Sequence, residues 1–232
     1  MNEKINICFD LDGPIIDVSY RYYVAYLESL KDTSTNKERI LSNEEFWKLK
    51  QNRISDLEIG ILSRLSINES KSSADLRKGL TFKTDFLAHD KIFDDVYKTF
   101  EYLKSHKITF FIVTLRRNKQ LNHAVKQFKL DKYINSEFLF SLPDEHKVTN
   151  DIQEKYILLV KAINSLQLNP KETWFIGDSE TDIHASRLAK CEKTVAITRG
   201  IRSKEQLEIL QPDYLINDLN ELLIISQGIK TN

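Results

Sequence analysis

Hydrophobic and polar positions along the chain follow two rhythms. Residues 5–9 (INICF) form a short apolar run of strand-forming residues that stops at Asp10-Leu11-Asp12-Gly13. From Ser19 to about Lys83 the pattern becomes helical, with YRYYVAYLESL, SNEEFWKLKQN and SDLEIGILSRLSI predicting three or four short helices. Ser42 and Glu45 have the spacing of a capping box, and Ser55 or Asp56 caps the next helix, leaving 52–54 as an exposed turn. No convincing strand interrupts this block, which therefore reads as a helical insertion after the first strand.

Beyond it, strand and helix patterns alternate. Helices are predicted at 94–105, 118–128, 151–166, 181–189, 203–210 and from 218, and strands at 108–114, 137–140, 173–178, 191–197 and 214–216. That alternation predicts βαβ units and an α/β fold with a doubly wound parallel sheet, its strand ends gathered on one edge. The expected division is a core of 1–17 and 89–232, with 18–88 inserted as a helical cap.

Composition narrows the function mainly by exclusion. The 232 residues are 41% hydrophobic and 29% charged, which suits a sizeable core. Lys plus Arg and Asp plus Glu each number 34, so no overall field recruits nucleic acid or an anionic membrane. No window approaches the ~18 apolar residues of a membrane span, and MNEKINICF carries no long apolar segment after a basic start, so a cytoplasmic protein is expected. Cys8 and Cys191 lack a C-x-x-C partner and read as buried free thiols. The five histidines, His89 and His184 included, form no metal pattern.

Candidate chemistry collects where the strands end. Ligands of open α/β sheets bind beyond the carboxyl ends of the strands, which is where Asp10 and Asp12 stand, with Leu11 turned inward and Gly13 permitting a sharp break. Thr114 ends a second strand with a hydroxyl suited to an anionic oxygen. Gly177-Asp178 ends another, with Asp182 four residues on. Carboxylates crowded in this way raise one another's pKa unless a cation neutralises them, and an all-oxygen set suits a hard ion such as Mg²⁺. Lys155, early in the helix before the Gly-Asp strand, could bring a positive charge to the same edge; Lys147 competes for that role.

The order D-L-D-G, V-T, Lys and G-D-S-x-x-D resembles the four motifs of the haloacid dehalogenase-like (HAD) hydrolase superfamily over nearly the whole chain. The insertion resembles the small helical cap of its phosphoglycolate phosphatase and beta-phosphoglucomutase group. The resemblance implies a Rossmann-like core, a mobile cap and Mg²⁺-dependent phosphoryl transfer through an aspartyl-phosphate. By motif, Asp10 is the nucleophile and a metal ligand, and Asp12 is the general acid/base and supplies a carbonyl to the metal. Thr114 and Lys155 hold the phosphoryl group, Asp178 binds Mg²⁺ and Asp182 supports the metal site. Asp12 also separates the chain from the dehalogenases, which lack that second aspartate. Pro14, where the group usually has Thr or Val, removes a backbone donor from the loop.

Specificity is expected in the cap, with Arg53 in the 52–54 turn as first candidate and Lys50 as second. Tyr20, Arg21, Tyr23, Arg116 and Arg117 are further candidates near the substrate, and Gly13 lets the backbone approach it. The expected function is a phosphatase of a small phosphorylated metabolite such as a phosphoglycolate-like acid, sugar phosphate or nucleotide. A phosphomutase using the same residues and a weakly active phosphometabolite-binding regulator are the alternatives. The sequence does not set the oligomeric state.

Overall fold

The computed structural model describes residues 5–33 and 39–227, so the first four residues of the N-terminal reading lie outside it. In chain order the strands are β1 (Asn6–Phe9), β2 (Ile16–Asp17), β3 (Lys91–Ile92), β4 (Thr109–Arg117), β5 (Leu139–Leu142), β6 (Thr173–Gly177), β7 (Lys193–Ile197) and β8 (Tyr214–Ile216). The helices are α1 (Ser19–Thr33), α2 (Asn43–Gln51), α3 (Asp56–Leu62), α4 (Ile67–Leu80), α5 (Thr84–Leu87), α6 (Val96–Ser105), α7 (Asn118–Gln127), α8 (Asp151–Ser165), α9 (Glu180–Leu188), α10 (Lys204–Glu208) and α11 (Leu219–Gln227).

Six strands form one parallel sheet in the order β5-β4-β1-β6-β7-β8. The chain is an α/β protein with a Rossmann-like core. Its central strand β1 is buried along its whole length, as expected of a parallel strand covered on both faces. The period of two sorts its neighbours cleanly. Ile7, Phe9, Phe110, Ile112, Trp174 and Ile176 face one apolar layer, and Cys8, Phe111, Val113 and Phe175 face the other. Val96, Phe100 and Leu222 of α6 and α11 cover the first layer; Leu158, Leu159 and Ala162 of α8 cover the second.

Successive strands leave β1 in opposite directions, toward β4 and β5 and then toward β6, β7 and β8. The strand order therefore reverses between β1 and its neighbours, the position at which a crevice opens in such sheets.

Helices α1–α5 occupy the inserted stretch around a small core of Tyr26, Leu30, Leu41, Phe46, Ile59 and Leu65. Serine caps start three of these helices: Ser42 with Glu45, Ser55 with Glu58 and Ser66 with Glu69 each form a full capping box. The two-stranded antiparallel pair β2–β3 joins Ile16 to Ile92 and Asp17 to Lys91, so the chain enters and leaves the helical block side by side.

Several boundaries differ from the sequence reading, two of them for a reason the sheet shows. Strand β4 runs on to Arg117, because past an irregularity Arg117 still pairs with Leu142 of β5. Strand β5 starts at Leu139, because 136–138 coil into a 3₁₀ turn first. Among the described residues no helix is long and apolar enough to cross a membrane.

Candidate active site

A buried lysine organises the strand ends. Lys155 is 2% exposed, and its Nζ lies 2.7 Å from Asp10 Oδ1 and 3.0 Å from Asp182 Oδ1, and donates to the Val113 carbonyl at 3.3 Å. Helix α8 starts beside the strand ends, with Asn150 capping it through Gln153 N–H, and its first turn and a half projects Lys155 beneath β1 and β4. Burial disfavours the ammonium, but Asp10 and Asp182 outweigh that cost and hold Lys155 above the ordinary lysine range. Lys147 is exposed.

The sheet edge brings together Asp10, Asp178 and Asp182, each offering one carboxylate oxygen within 4.8 Å of the other two. Asp182 Oδ2 accepts from Ser179 Oγ at 2.6 Å and from the Asp178 and Ser179 backbone N–H groups at 3.2 Å, at the start of α9. Asp178 Oδ2 accepts from Ile201 N–H at 2.5 Å. Burial, then the charge of Asp182 and Asp10, pushes Asp178 well above the ordinary carboxylate range. Asp10 is pushed up to about 7, by burial first and by Asp182 and Asp12, against the pull of Lys155.

This donor set fits a divalent cation. All the ligand atoms are carboxylate oxygens, two of the acids are pushed up by burial and by their neighbours' negative charge, and glycines press the chain onto Asp178. A Cβ on Gly13, at φ +89°, would stand 2.2 Å from Asp178 Cγ, and one on Gly200 would stand 1.8 Å from Asp178 Oδ2. Gly200→Ala is therefore expected to displace Asp178 and weaken divalent-ion binding by about 10–100-fold while the protein still folds, as read by calorimetric titration and thermal unfolding.

Asp12 turns its carboxylate away from this cluster. Arg116 Nη2 lies 2.7 Å from Asp12 Oδ1, Arg21 Nη2 donates to Asp12 Oδ2 at 3.0 Å, and both arginines also meet Asp90 Oδ2, at 2.6 and 3.2 Å. Burial opposes ionisation of Asp12, but the two guanidinium groups prevail and hold its carboxyl below the ordinary range. Thr114 is buried at the same edge, and its Oγ1 accepts from Arg116 N–H at 3.2 Å.

Above the carboxylates opens a cavity of about 620 Å³, bordered by Asp10, Asp12, Thr114, Lys155, Asp178 and Asp182 from the core. Tyr22 and Val18, at the start of the insertion, and Lys78 and Phe82 near its end border it from the other side, with Arg116, Arg117, Gln120 and Arg202 around the mouth.

Arg53, expected to touch substrate, does not line the cavity: its φ is +62°, and its Nη2 sits 2.5 Å from Oε1 of Glu180, which also pairs with Arg202 at the mouth. Lys50 pairs with Asp56 at 2.6 Å. Tyr20 packs edge-on against His89, and Tyr23 donates to the Leu41 carbonyl, so Tyr22 is the tyrosine of this run that borders the cavity. Arg21 is fully buried as a partner of Asp12 and Asp90. Pro14 offers its carbonyl to Arg199, which also pairs with Asp95 at 2.7 Å.

Asp90 and the Gly200-Ile201 loop escape the sequence reading. Nothing local marks Asp90, whose partners are 69 and 26 residues away. Gly200 carries a fair signal, a glycine just past the end of a core strand, as Gly177 closes β6.

A doubly wound parallel sheet thus gathers three carboxylates and a buried lysine at its switch point, beneath a cavity that the inserted helices border. Residues 7–197 match the haloacid dehalogenase-like hydrolases, and the chain belongs to that family. Among curated proteins it is 25% identical over 239 residues to the pyrophosphatase PpaX of Bacillus mycoides, covering 97% of this chain and 99% of the relative. A structure titled as a predicted phosphoglycolate phosphatase from Haemophilus somnus is 21% identical with a TM-score of 0.69, over 97% of this chain and 99% of that one. A HAD family hydrolase from Deinococcus radiodurans, solved with bound phosphate and sodium, is 14% identical with a TM-score of 0.72, over 100% of this chain and 99% of that one.

Proposed function

We propose that the chain is a Mg²⁺-dependent phosphatase that hydrolyses a small phosphorylated metabolite through an aspartyl-phosphate on Asp10. The observation that carries this reading is Lys155, buried between Asp10 and Asp182 at the floor of the cavity. A carboxylate there can attack phosphorus, and the ammonium can neutralise charge on the phosphoryl oxygens. Phosphate bound in the Deinococcus hydrolase and the pyrophosphatase name of the Bacillus relative support the substrate class.

Asp10, Asp178 and Asp182 would hold the ion, which when bound supplies positive charge to the phosphoryl oxygens. An Asp10 oxygen displaces the leaving-group oxygen, forming the aspartyl-phosphate; water then attacks phosphorus, and inorganic phosphate leaves with Asp10 restored. Asp12 gives a proton to the leaving group and takes one from that water. Its two arginines must loosen for this exchange. Arg116 borders the cavity, and its Nε and Nη1 have no hydrogen-bond partner among the described residues, so a phosphoryl oxygen can draw it from Asp12.

Lys78, Tyr22 and Phe82 are the insertion's side chains placed to read the rest of the substrate, while Arg53 seats the insertion on Glu180. The test is phosphate release from a panel of sugar phosphates, phosphorylated acids, nucleotides and inorganic pyrophosphate, with Mg²⁺ and with chelator. Mg²⁺-dependent release that chelator stops is expected. No release from any compound, with a bisphosphate-primed isomerisation instead, would replace the phosphatase with a mutase.

The acids also set a pH dependence. With Asp10 raised to about 7, protons compete with a cation for its carboxylate below that pH, so divalent affinity rises as pH climbs toward 7 and levels off above it. Calorimetry at stepped pH should show affinity falling below pH 7 with a steepness that approaches about tenfold per unit, one proton being displaced per ion.

A further inference from the structure

Helix α2 of the insertion reaches the acidic cluster through a peptide group of the core. The Gly200–Ile201 peptide lies in the loop after β7. Its N–H donates to Asp178 Oδ2 at 2.5 Å, and its carbonyl accepts from Gln51 Nε2, at the end of α2, at 3.0 Å. The two bonds lie on opposite sides of one planar, resonant unit, so orienting the carbonyl orients the N–H, and each bond polarises the other. Gly200 is required for this contact, since any Cβ there would overlap Asp178.

Asp178 depends on that N–H more than its neighbours depend on theirs. Lys155 serves Asp10 and Asp182, and Asp182 also has three donors of its own from 178 and 179. Among the described residues, the hydrogen bond recorded for the Asp178 carboxylate comes from Ile201 N–H. A second strut holds the same loop: Ser203 N–H donates to the Gln51 carbonyl at 3.2 Å.

We propose that Gln51 is a positioning residue whose side-chain amide, acting through the Gly200–Ile201 peptide, fixes the Asp178 carboxylate for cation binding. Seating of the helical insertion and readiness of the acidic cluster are then one event, and the site is complete only with the insertion docked. The inference rests on the divalent-ion reading of the cluster, but the bond chain belongs to the protein alone.

Gln51→Met keeps the length of the side chain and the Ser203 bond to the Gln51 carbonyl, and removes the donor. In the ion-free variant, amide exchange at Ile201, followed by NMR, should quicken about three- to tenfold, the equivalent of one hydrogen bond, with the thermal midpoint lowered by no more than about 2–4 °C. Mg²⁺ affinity, by calorimetry, should weaken by a similar about three- to tenfold factor. Gln51→Lys supplies a donor again and should restore both. Exchange and affinity in Gln51→Met within about twofold of the parent would overturn the proposal, that being less than a typical hydrogen bond contributes. So would a Gln51→Lys variant that behaves like Gln51→Met. Absence of phosphate release from the parent would count against the phosphatase reading and leave the exchange comparison standing.

Discussion

Replacing Asp10 by Asn should abolish phosphate release, by about 10³-fold or more, because no other carboxylate at the sheet edge can take over the attack. Asp178 and Asp182 cannot substitute, being held by the backbone N–H groups of 201 and of 178 and 179. The fold should survive: Asn is nearly isosteric with Asp, and Asp10 is an acid whose burial already opposes its charge. Phosphate release and thermal unfolding measured on the same preparation separate the two effects. Substantial turnover in pure Asp10→Asn protein would remove Asp10 as the nucleophile.

Lys155→Ala should cost both activity and stability. The ammonium lies within 3.0 Å of two carboxylates, so its loss leaves two buried acids facing each other without a cation. Breaking a buried ion pair from one side costs about 3–5 kcal/mol, and here part of that is relieved by protonation of Asp10. The ion-free variant should therefore be most destabilised at high pH, where Asp10 is forced to ionise. It should regain stability as pH falls and the acid turns neutral, at a pH above the parent's value of about 7, because Lys155 no longer draws the Asp10 carboxyl down. Loss of the phosphoryl clamp should lower kcat by about 10²–10³-fold, in the range for removing one group that stabilises transition-state charge. Denaturant melts at about pH 6 and about pH 10, on either side of the raised Asp10 carboxyl, with kcat in parallel, read both consequences. Equal stability at the two pH values would mean that Lys155 is not what holds the acids together.

The α/β architecture was legible because its signals are local. Residues 5–9, 109–113 and 173–177 are apolar runs too short for helices, and burial on both faces of the sheet is what such runs encode. The Ser42–Glu45 capping box was equally readable, since a cap is closed by residues three apart, whereas the sequence left Ser55 level with Asp56 and did not single out Ser66. The acids at 10, 178 and 182 could be grouped from sequence because parallel strands deliver their ends to one edge.

What the sequence hid is long-range or depends on rotation about a helix. Whether Tyr22 or its neighbours Tyr20 and Tyr23 faces the cavity turns on about 100° of helical phase per residue, which the tyrosine-rich run does not reveal. The Asp12–Arg21–Arg116–Asp90 network joins four separate stretches, and no spacing rule announces it. Arg53 shows the same limit from the other side. An exposed arginine in an inter-helix turn can face a ligand or a carboxylate, and here Glu180 takes it; burial opposes ionisation of Glu180, but Arg202 and Arg53 hold its carboxyl at about 2.

The central claim is a phosphoryl group carried on Asp10, and the most direct measurement is to trap it. Protein mixed with its best substrate and Mg²⁺ is quenched in acid, reduced with borohydride and mapped by mass spectrometry. Conversion of Asp10 to homoserine, present in the parent and absent from Asp10→Asn, is the expected result. Brisk phosphate release with Asp10 unmodified, or with the label on another residue, would contradict the account.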